Sequence, residues 1–299
     1  MKFYKYLSLA IIGFAFHSCE PEEFLNPLPD TAVVADAFFA KDADILAGII
    51  GIYDAIQGVN ENTNTSLISS NRGVQFEYML TEHRSDNTRS ATLEGSKADF
   101  HRYLVDPNNV QSEDYYQSMY EIIFRANNIL NYIDVANEGN RAKYSAEAKF
   151  LRAYAYFNLV RLYGDVPMVT RVVGPQDNEA LFTRVPKAQI YQQIESDLKD
   201  AIANLDNTYK SRASKAAAKG VLAKAYLTQE NRNYSGAAQL CQDIINSGKY
   251  ALQANFSDVF YNELNDEIIF AVQYQTGNTQ ESQSFSSEFT SAFRQGRED

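Results

Sequence analysis

The sequence predicts a mainly α-helical protein, a tetratricopeptide-like helical repeat scaffold with long irregular loops and little β-structure. Three observations lead to this prediction. One helix pattern carries apolar residues on two opposite faces, a second stretch repeats that pattern further along the chain, and a single segment has the composition of a strand. With 299 residues, 45% of them hydrophobic, the chain can bury a sizeable core.

The first residues have the pattern of a targeting signal. Lys2 and Lys5 supply positive charge before an apolar stretch at 6–16, which has the length of a signal core and is too short to span a bilayer. Small Ser18 then stands directly before Cys19, where cleavage is expected. This position favours a bacterial lipoprotein signal.

We therefore expect a lipoprotein signal peptide at 1–18 and a lipid attached to Cys19, with an ordinary cleaved secretory signal as the alternative. Residues 19–35, acidic and proline-containing, form a tether and extended lead-in, and the folded domain covers 36–299. Once Cys19 is acylated, Cys241 has no cysteine to pair with. Its place in an apolar helix pattern predicts a buried, inert thiol.

The domain begins with helical periodicity at 36–57, which stops at Gly58. In 58–112 the pattern gives way to Asn, Thr, Ser and Arg, so a loop-rich insertion is expected, with some helix at 74–80. Repeat helices then fill 113–247.

These repeat helices are joined by short turns and are expected at 113–136, 144–163, 187–205, 212–229 and 234–247. In the third of them, Asp197 and Asp200 fit a solvated face. An incomplete C-terminal region follows at 248–299. It contains the strand candidate 267–274, which is rich in β-branched and aromatic residues.

The helix at 144–163 is apolar on two opposite sides when successive residues are set 100° apart. One stripe comprises Ala148, Leu151, Ala155, Leu159 and Leu162, and the other Phe150, Ala153, Phe157 and Val160. Ser145 is the expected N-cap and Gly164 the expected stop. Between the stripes lie Arg152, Tyr156 and Tyr163, for which packing is the expected role.

The same pattern returns later in the chain. Residues 148–156 (AKFLRAYAY) align with 218–226 (AKGVLAKAY) at a lag of 70 positions, about two periods of a 34-residue tetratricopeptide unit. A helix in such a stack contacts both its own partner and the next repeat, which requires two apolar sides. An ordinary bundle would show one broad stripe per helix and no such lag.

Signs of catalysis are sparse. No phosphate loop, dinucleotide fingerprint or nucleophile elbow occurs, so no cofactor is expected. His83 and His101 lie in polar sequence without another ligand at metal-binding spacing, so no metal is expected. Glu82, His83 and Asp86 are close in sequence and leave acid–base chemistry as an alternative. A net charge of −11 without a basic run argues against a nucleic-acid partner.

Several segments resemble one family. Residues 147–169 (EAKFLRAYAYFNLVRLYGDVPMV) are similar to the hallmark helix of the SusD/RagB-like proteins, and 115–134, 218–252 and 256–274 resemble its other segments in order. The stretch after Cys19 resembles the acidic tag that directs lipoproteins of Bacteroidota-type bacteria to the cell surface. The resemblance covers nearly the whole chain.

The resemblance implies a surface-exposed outer-membrane lipoprotein, held to the membrane by its lipid anchor only. Such a protein binds glycans or other nutrients and delivers them to a SusC-like TonB-dependent transporter, and it is not an enzyme. The family's repeat helices contact the transporter, while loops elsewhere hold the ligand. Family members are longer than this chain, so we expect part of the ligand surface to be missing from it.

A glycan site combines an aromatic platform with hydrogen-bonding polar groups. The loop-rich insertion supplies such groups, and the candidates for ligand binding are Asn71, Arg72, Tyr78, Asp86, Asn87 and Arg89. Turn formation by Asp86 and Asn87 and core packing by Tyr78 are the structural alternatives. Two other functions stay open: a tetratricopeptide scaffold for protein interaction, and a secreted glycan hydrolase using Glu82, His83 and Asp86.

Overall fold

The structure is a computed structural model, and it describes residues 35–58, 74, 76–91, 94–174, 176–275 and 277. The predicted signal peptide, Cys19 and most of the predicted tether lie outside the described residues. The chain divides into two compact units, 1–40 and 41–299. In the first, the described part holds the short helix α1 (Ala35–Phe38).

The second unit is mainly helical, as predicted. Its α-helices are α2 (Asp42–Gln57), α3 (Glu77–Leu80), α4 (Asp99–Arg102), α5 (Val110–Asn131), α6 (Glu138–Tyr163), α7 (Lys187–Asn204), α8 (Lys215–Thr228), α9 (Tyr234–Asn246) and α10 (Asp258–Tyr261). Short 3-10 turns occupy Glu82–Arg84, Ile133–Val135 and Glu179–Phe182. Strands β1 (Val166–Pro167) and β2 (Arg184–Val185) pair antiparallel, with Val166 opposite Val185.

Helix α6 lies at the centre of a stack of helices. It packs against α5 on one side and α7 on the other, while α2 covers α5, α8 covers α7 and α9 covers α8. Both predicted stripes of α6 are buried apart from Leu162, which is half-buried. The two-sided apolar pattern therefore reflects contact with two neighbouring helices, as expected of a tetratricopeptide-like stack.

The C-terminal end of α6 is as predicted, but its start is not. Gly164 ends the helix with φ 72°, a backbone conformation that favours glycine. The helix begins at Glu138, so Ser145 lies inside it and is not the N-cap. Asp42 of α2 supports this extra length, because its carboxylate accepts hydrogen bonds from the Asn137 N–H (2.8 Å) and Asn140 Nδ2 (3.0 Å).

The predicted strand at 267–274 is wrong. In the described part of the chain this segment has no regular secondary structure, and its backbone pairs with no neighbouring strand. Instead it packs across the helices: Phe270 meets Phe150 edge to face at 5.5 Å, and the Ala271 N–H donates to the Lys210 carbonyl at 2.9 Å. Tertiary packing thus outweighs the strand propensity of residues 267–274.

Two side chains lie in surroundings opposite to those predicted. Asp197 is 2% exposed rather than solvated, because α7 turns it towards Arg152 of α6. Cys241 is exposed rather than buried. Helix α9 buries only Ala237 and Ile244, so the neighbouring thiol remains accessible at the edge of that contact.

Among the described helices, none is both long enough and apolar enough to cross a lipid bilayer.

Candidate functional site

The predicted ligand residues occupy different environments. Asn71 and Arg72 lie outside the described residues. Tyr78 is buried, and its ring meets the edge of the His83 ring at a centroid distance of 5.3 Å and an angle of 86°. Such a ring has little face left to stack on a sugar, so the structure favours core packing for Tyr78.

Asp86, Asn87 and Arg89 are exposed on the loop that follows the Glu82–Arg84 turn. The loop is shaped locally, since the Ser85 hydroxyl accepts the Asn87 N–H at 3.2 Å. Beside it stands Tyr103, whose hydroxyl donates to the Arg84 carbonyl at 3.0 Å and which is 67% exposed.

The structure thus places an exposed tyrosine near three of the predicted polar residues. Sequence reasoning missed Tyr103, although a tyrosine at the end of a short helix in a polar loop was a usable signal. The ligand-binding role of Asp86, Asn87 and Arg89 remains a prediction.

The three residues of the acid–base alternative lie in different surroundings. His83 is buried, whereas Glu82 and Asp86 are exposed. The His83 Nδ1 lies 3.1 Å from the Thr88 hydroxyl rather than beside a carboxylate. Burial, assisted by the charge of His101, lowers the pKa of His83, so the imidazole is neutral at physiological pH. A neutral, buried histidine bonded to a threonine has the surroundings of a structural residue.

A more suitable site lies between helix α5 and the chain after β1. It is a cleft of about 430 Å³, which we call the aromatic cleft, lined by Tyr116, Tyr120, Ile123, Phe124, Asn127, Pro167, Val169, Arg171, Val173 and Phe182. Its volume falls within the range of about 300–1,000 Å³ that is usual for small-molecule sites.

Helix periodicity builds one wall of the aromatic cleft. Tyr116, Tyr120 and Phe124 recur every four residues and therefore share a face of α5, while Tyr115 and Met119, about 100° further round the helix, are buried in the core. The rings of Tyr116 and Tyr120 are 4.8 Å apart with an angle of 46° between their planes.

The aromatic cleft presents open ring surface. Phe124 is 50% exposed and Phe182, from the Glu179–Phe182 turn, is 54% exposed. The hydroxyl of Tyr120 donates to the Pro167 carbonyl at 2.7 Å and so ties α5 to the opposite wall. Burial raises the pKa of Tyr120 above its ordinary value, which keeps this hydroxyl protonated and able to donate.

A buried polar network fixes the floor of the aromatic cleft. Arg152 donates to both carboxylate oxygens of Asp197 at 2.8 Å and to Asn127 Oδ1 at 2.8 Å. Asn127 in turn donates from Nδ2 to the carbonyls of Val169 (3.0 Å) and Arg171 (3.2 Å). The segment after β1 is therefore held to the helix stack by side chains that are themselves buried.

A charged pair stands at the rim of the aromatic cleft. Arg171 donates through two nitrogens to the two carboxylate oxygens of Asp177, one of them at 2.9 Å, and the Gly174 N–H also donates to Asp177 at 2.6 Å. Hydrogen bonding by Arg171 and then by the Gly174 backbone lowers the pKa of Asp177 to about 2. The rim thus combines a fixed donor with a fixed acceptor beside open aromatic rings.

This combination suits a ligand with both apolar and hydroxyl-bearing faces, as a sugar ring has. A sequence model of the SusD-like family, described as "Starch-binding associating with outer membrane", matches residues 23–227. The chain belongs to the SusD-like family. The resemblance inferred from residues 147–169 is therefore confirmed.

Individual SusD-like proteins agree with this assignment. A SusD-like protein of Formosa agariphila is 28% identical over 292 residues, which is 92% of this chain but 52% of that protein. A SusD-like protein of Bacteroides ovatus is 25% identical over 90% of this chain and 50% of its own length. The chain thus spans about half the length of these curated relatives.

Solved structures agree on the fold. A SusD-like protein of Bacteroides fragilis matches with a TM-score of 0.67 and 25% identity, covering 85% of this chain and 48% of that one. A structure described as a laminarin-binding SusD-like protein matches with a TM-score of 0.64 and 26% identity, over 77% of this chain and 50% of the other. The tetratricopeptide-like helical architecture predicted from the sequence is confirmed.

Proposed function

We propose that this SusD-like chain binds neutral glycans and acts in nutrient capture at the bacterial surface. The observation that carries the proposal is the aromatic cleft, where the exposed rings of Phe124 and Phe182 stand beside the Arg171–Asp177 pair. Aromatic faces stack on the apolar side of a pyranose, and the charged pair offers hydrogen bonds to its hydroxyls. The match to a laminarin-binding SusD-like protein supports this ligand class.

The wider role follows from the family and from the N-terminal sequence. In this proposal, Cys19 carries a lipid that anchors the protein to the outer membrane at the cell surface. A surface of the helical stack outside the aromatic cleft contacts a SusC-like TonB-dependent transporter, which receives the captured oligosaccharide. The exposed loop residues Asp86, Asn87 and Arg89 supply further polar contacts to a long ligand.

In this proposal the chain binds glycans without hydrolysing them. His83 has a threonine rather than a carboxylate at its Nδ1, which removes the support for an acid–base mechanism there. A protein with this role captures the glycan and releases it intact.

A three-part experiment tests the function. The full chain is titrated with laminarihexaose and with a xyloglucan oligosaccharide by isothermal calorimetry, and the sugars are then analysed for cleavage. Outer membranes are also examined for a large β-barrel that co-purifies with the chain. We expect saturable binding, intact sugars and a barrel partner; cleavage of either sugar, or the absence of any glycan binding, would overturn the proposal.

A further inference from the structure

A second cleft lies away from the aromatic cleft and shares no residue with it. It has a volume of about 360 Å³ and is lined by Ile50, Tyr53, Asp54, Gln57, Ser211, Arg212, Val272 and Gln273. We call it the polar cleft. The C-terminal half of α2 forms one side, the loop before α8 a second and the segment after α10 a third.

The guanidinium of Arg212, which lines the polar cleft, is held by a buried carboxylate. Arg212 donates from Nε and Nη2 to the two carboxylate oxygens of Glu147 at 2.8 and 2.7 Å, and the Glu147 side chain is 2% exposed. The Tyr53 hydroxyl donates to the same carboxylate at 2.6 Å and accepts the Ala213 N–H at 2.6 Å. The guanidinium is thus fixed by one edge.

The free edge of that guanidinium is available for binding. Within the described part of the chain, the hydrogen bonds from Arg212 to Glu147 use Nε and Nη2, which leaves Nη1 outside this pairing, and the Arg212 side chain is 28% exposed. A guanidinium oriented by a buried carboxylate loses little conformational entropy when it donates to a ligand. Arg212 is therefore a pre-organised donor.

The acceptor is fixed in a similar way. Asp54 accepts a hydrogen bond from Arg125 Nη1 at 2.9 Å, and Arg125 is held in turn by Glu121 at 2.8 Å. The Asp54 side chain remains 34% exposed, so part of its carboxylate faces solvent. The polar cleft consequently offers both an oriented donor and an oriented acceptor.

The charge balance decides which ligands fit. Two separate ion-paired groups stand at the polar cleft, Arg125 with Asp54 and Glu121, and Arg212 with Glu147; together they hold two guanidinium groups against three carboxylates. One net negative charge remains, which disfavours an anionic ligand, while the guanidinium of Arg212 disfavours a cationic one. An uncharged ligand that both donates and accepts hydrogen bonds meets the fewest electrostatic penalties.

Apolar side chains complete the polar cleft. Ile50 is 56% exposed at its mouth, and Val272 lines the facing side. They offer contact to the C–H face of a ring whose hydroxyls reach Arg212 and Asp54. We propose that the polar cleft is a second carbohydrate subsite, which takes one uncharged sugar residue through two neighbouring hydroxyls; this inference rests on the proposed glycan-binding function.

The test fills the polar cleft without disturbing its supports. Ile50→Trp places a large ring at the mouth, and Ile50 is exposed, so the fold tolerates the change. Ile245→Trp on α9 is the matched control, because Ile245 is 66% exposed and lies outside both clefts. The full-length variants are titrated by calorimetry with laminarihexaose, a xyloglucan oligosaccharide and an oligogalacturonate.

For a neutral oligosaccharide that the native chain binds, we expect Ile50→Trp to remove one binding site or to weaken affinity by at least about tenfold, equivalent to about 1.4 kcal/mol. Ile245→Trp leaves binding unchanged, and oligogalacturonate binds no tighter to the native chain than to Ile50→Trp. Signals of the Arg212 Nε–H group in ¹H–¹⁵N spectra shift on adding the neutral sugar.

The failures of the two proposals are distinguishable. If Ile50→Trp binds the neutral sugars as the native chain does, while Phe182→Ala weakens binding, the second subsite is refuted and the proposed function stands. If the native chain binds neither neutral sugar, the proposed function and the second subsite are both refuted. Oligogalacturonate binding that Ile50→Trp abolishes would contradict the assignment of an uncharged ligand.

Discussion

Arg152 of α6 and Asp197 of α7 form a two-pronged ion pair, with both N···O distances at 2.8 Å and side chains only 6% and 3% exposed. The remaining guanidinium nitrogen, Nη1, donates to Asn127 Oδ1 and to the Thr170 carbonyl. One arginine thus joins two consecutive helices of the stack to the floor of the aromatic cleft.

The first prediction concerns the stability that this pair provides. Asp197→Ala leaves a buried, unpaired guanidinium, so the free energy of unfolding falls by about 3–5 kcal/mol, measured by urea denaturation. Asp200→Ala is the control, since Asp200 pairs with Lys149 at 3.2 Å and both side chains are about one-third exposed; it costs about 0–1 kcal/mol. Equal losses in the two variants would contradict the structural role of the buried pair.

The second prediction concerns the titration of Asp177 at the rim. Because its pKa is lowered to about 2 in the folded protein, first by Arg171 and then by the Gly174 N–H, the rim pair is intact above the ordinary value of 3.8 and is lost only as pH falls through about 2. Carbon-13 NMR of the carboxyl group measures this midpoint. Arg171→Ala moves it back towards 3.8, and a native midpoint near 3.8 would show that the pair does not form in solution.

The third prediction concerns the exposed loop. Asp86→Ala combined with Asn87→Ala weakens glycan capture, because both side chains are exposed and can contact a long ligand. Stability changes by no more than about 0.5 kcal/mol, as expected for surface positions. Calorimetric titration of the double variant measures its glycan affinity. An unchanged affinity in a folded protein would show that this loop does not contact the ligand.

The fourth prediction concerns the membrane anchor. Cys19→Ser removes the thiol that carries the lipid through a thioether bond, so cells grown with radiolabelled palmitate label the native protein but not the variant. Labelling of the variant would refute lipidation at Cys19. Ser18→Ala is the control, since a small residue before the cysteine preserves the signal.

The helical stack was predictable because it depends on the spacing of apolar residues within a single helix. The two apolar stripes of α6 follow from the 100° step of a helix. Phe150 in one stripe and Leu151 in the other are both buried, so each stripe packs against a neighbour. The burial of Asp197 was not predictable in this way, since its partner Arg152 is 45 positions away along the chain. The solvated face expected for Asp197 reflected its residue type rather than its neighbours.

The candidate site was predictable only in part. The four-residue spacing of Tyr116, Tyr120 and Phe124 was visible in a predicted helix, but a stripe of aromatic residues usually marks a core. Phe182 and Arg171 complete the aromatic cleft from an irregular segment, whose path no periodic pattern reveals. Core packing of Tyr78 was one of the alternatives that the sequence left open, and the edge contact with His83 favours it.

Glycan binding by the aromatic cleft can be tested by one calorimetric comparison. Phe124→Ala combined with Phe182→Ala removes both open rings, while Phe256→Ala combined with Phe260→Ala removes two phenylalanines that are 81% and 70% exposed outside the cleft. Two stacking rings contribute about 1–3 kcal/mol.

Titration with laminarihexaose or the xyloglucan oligosaccharide, whichever binds the native chain more tightly, should therefore show an affinity about 5- to 150-fold lower for the cleft variant. The control variant should match the native protein. Equal affinity in the native chain and the cleft variant, with both folded, would show that the aromatic cleft does not bind the glycan.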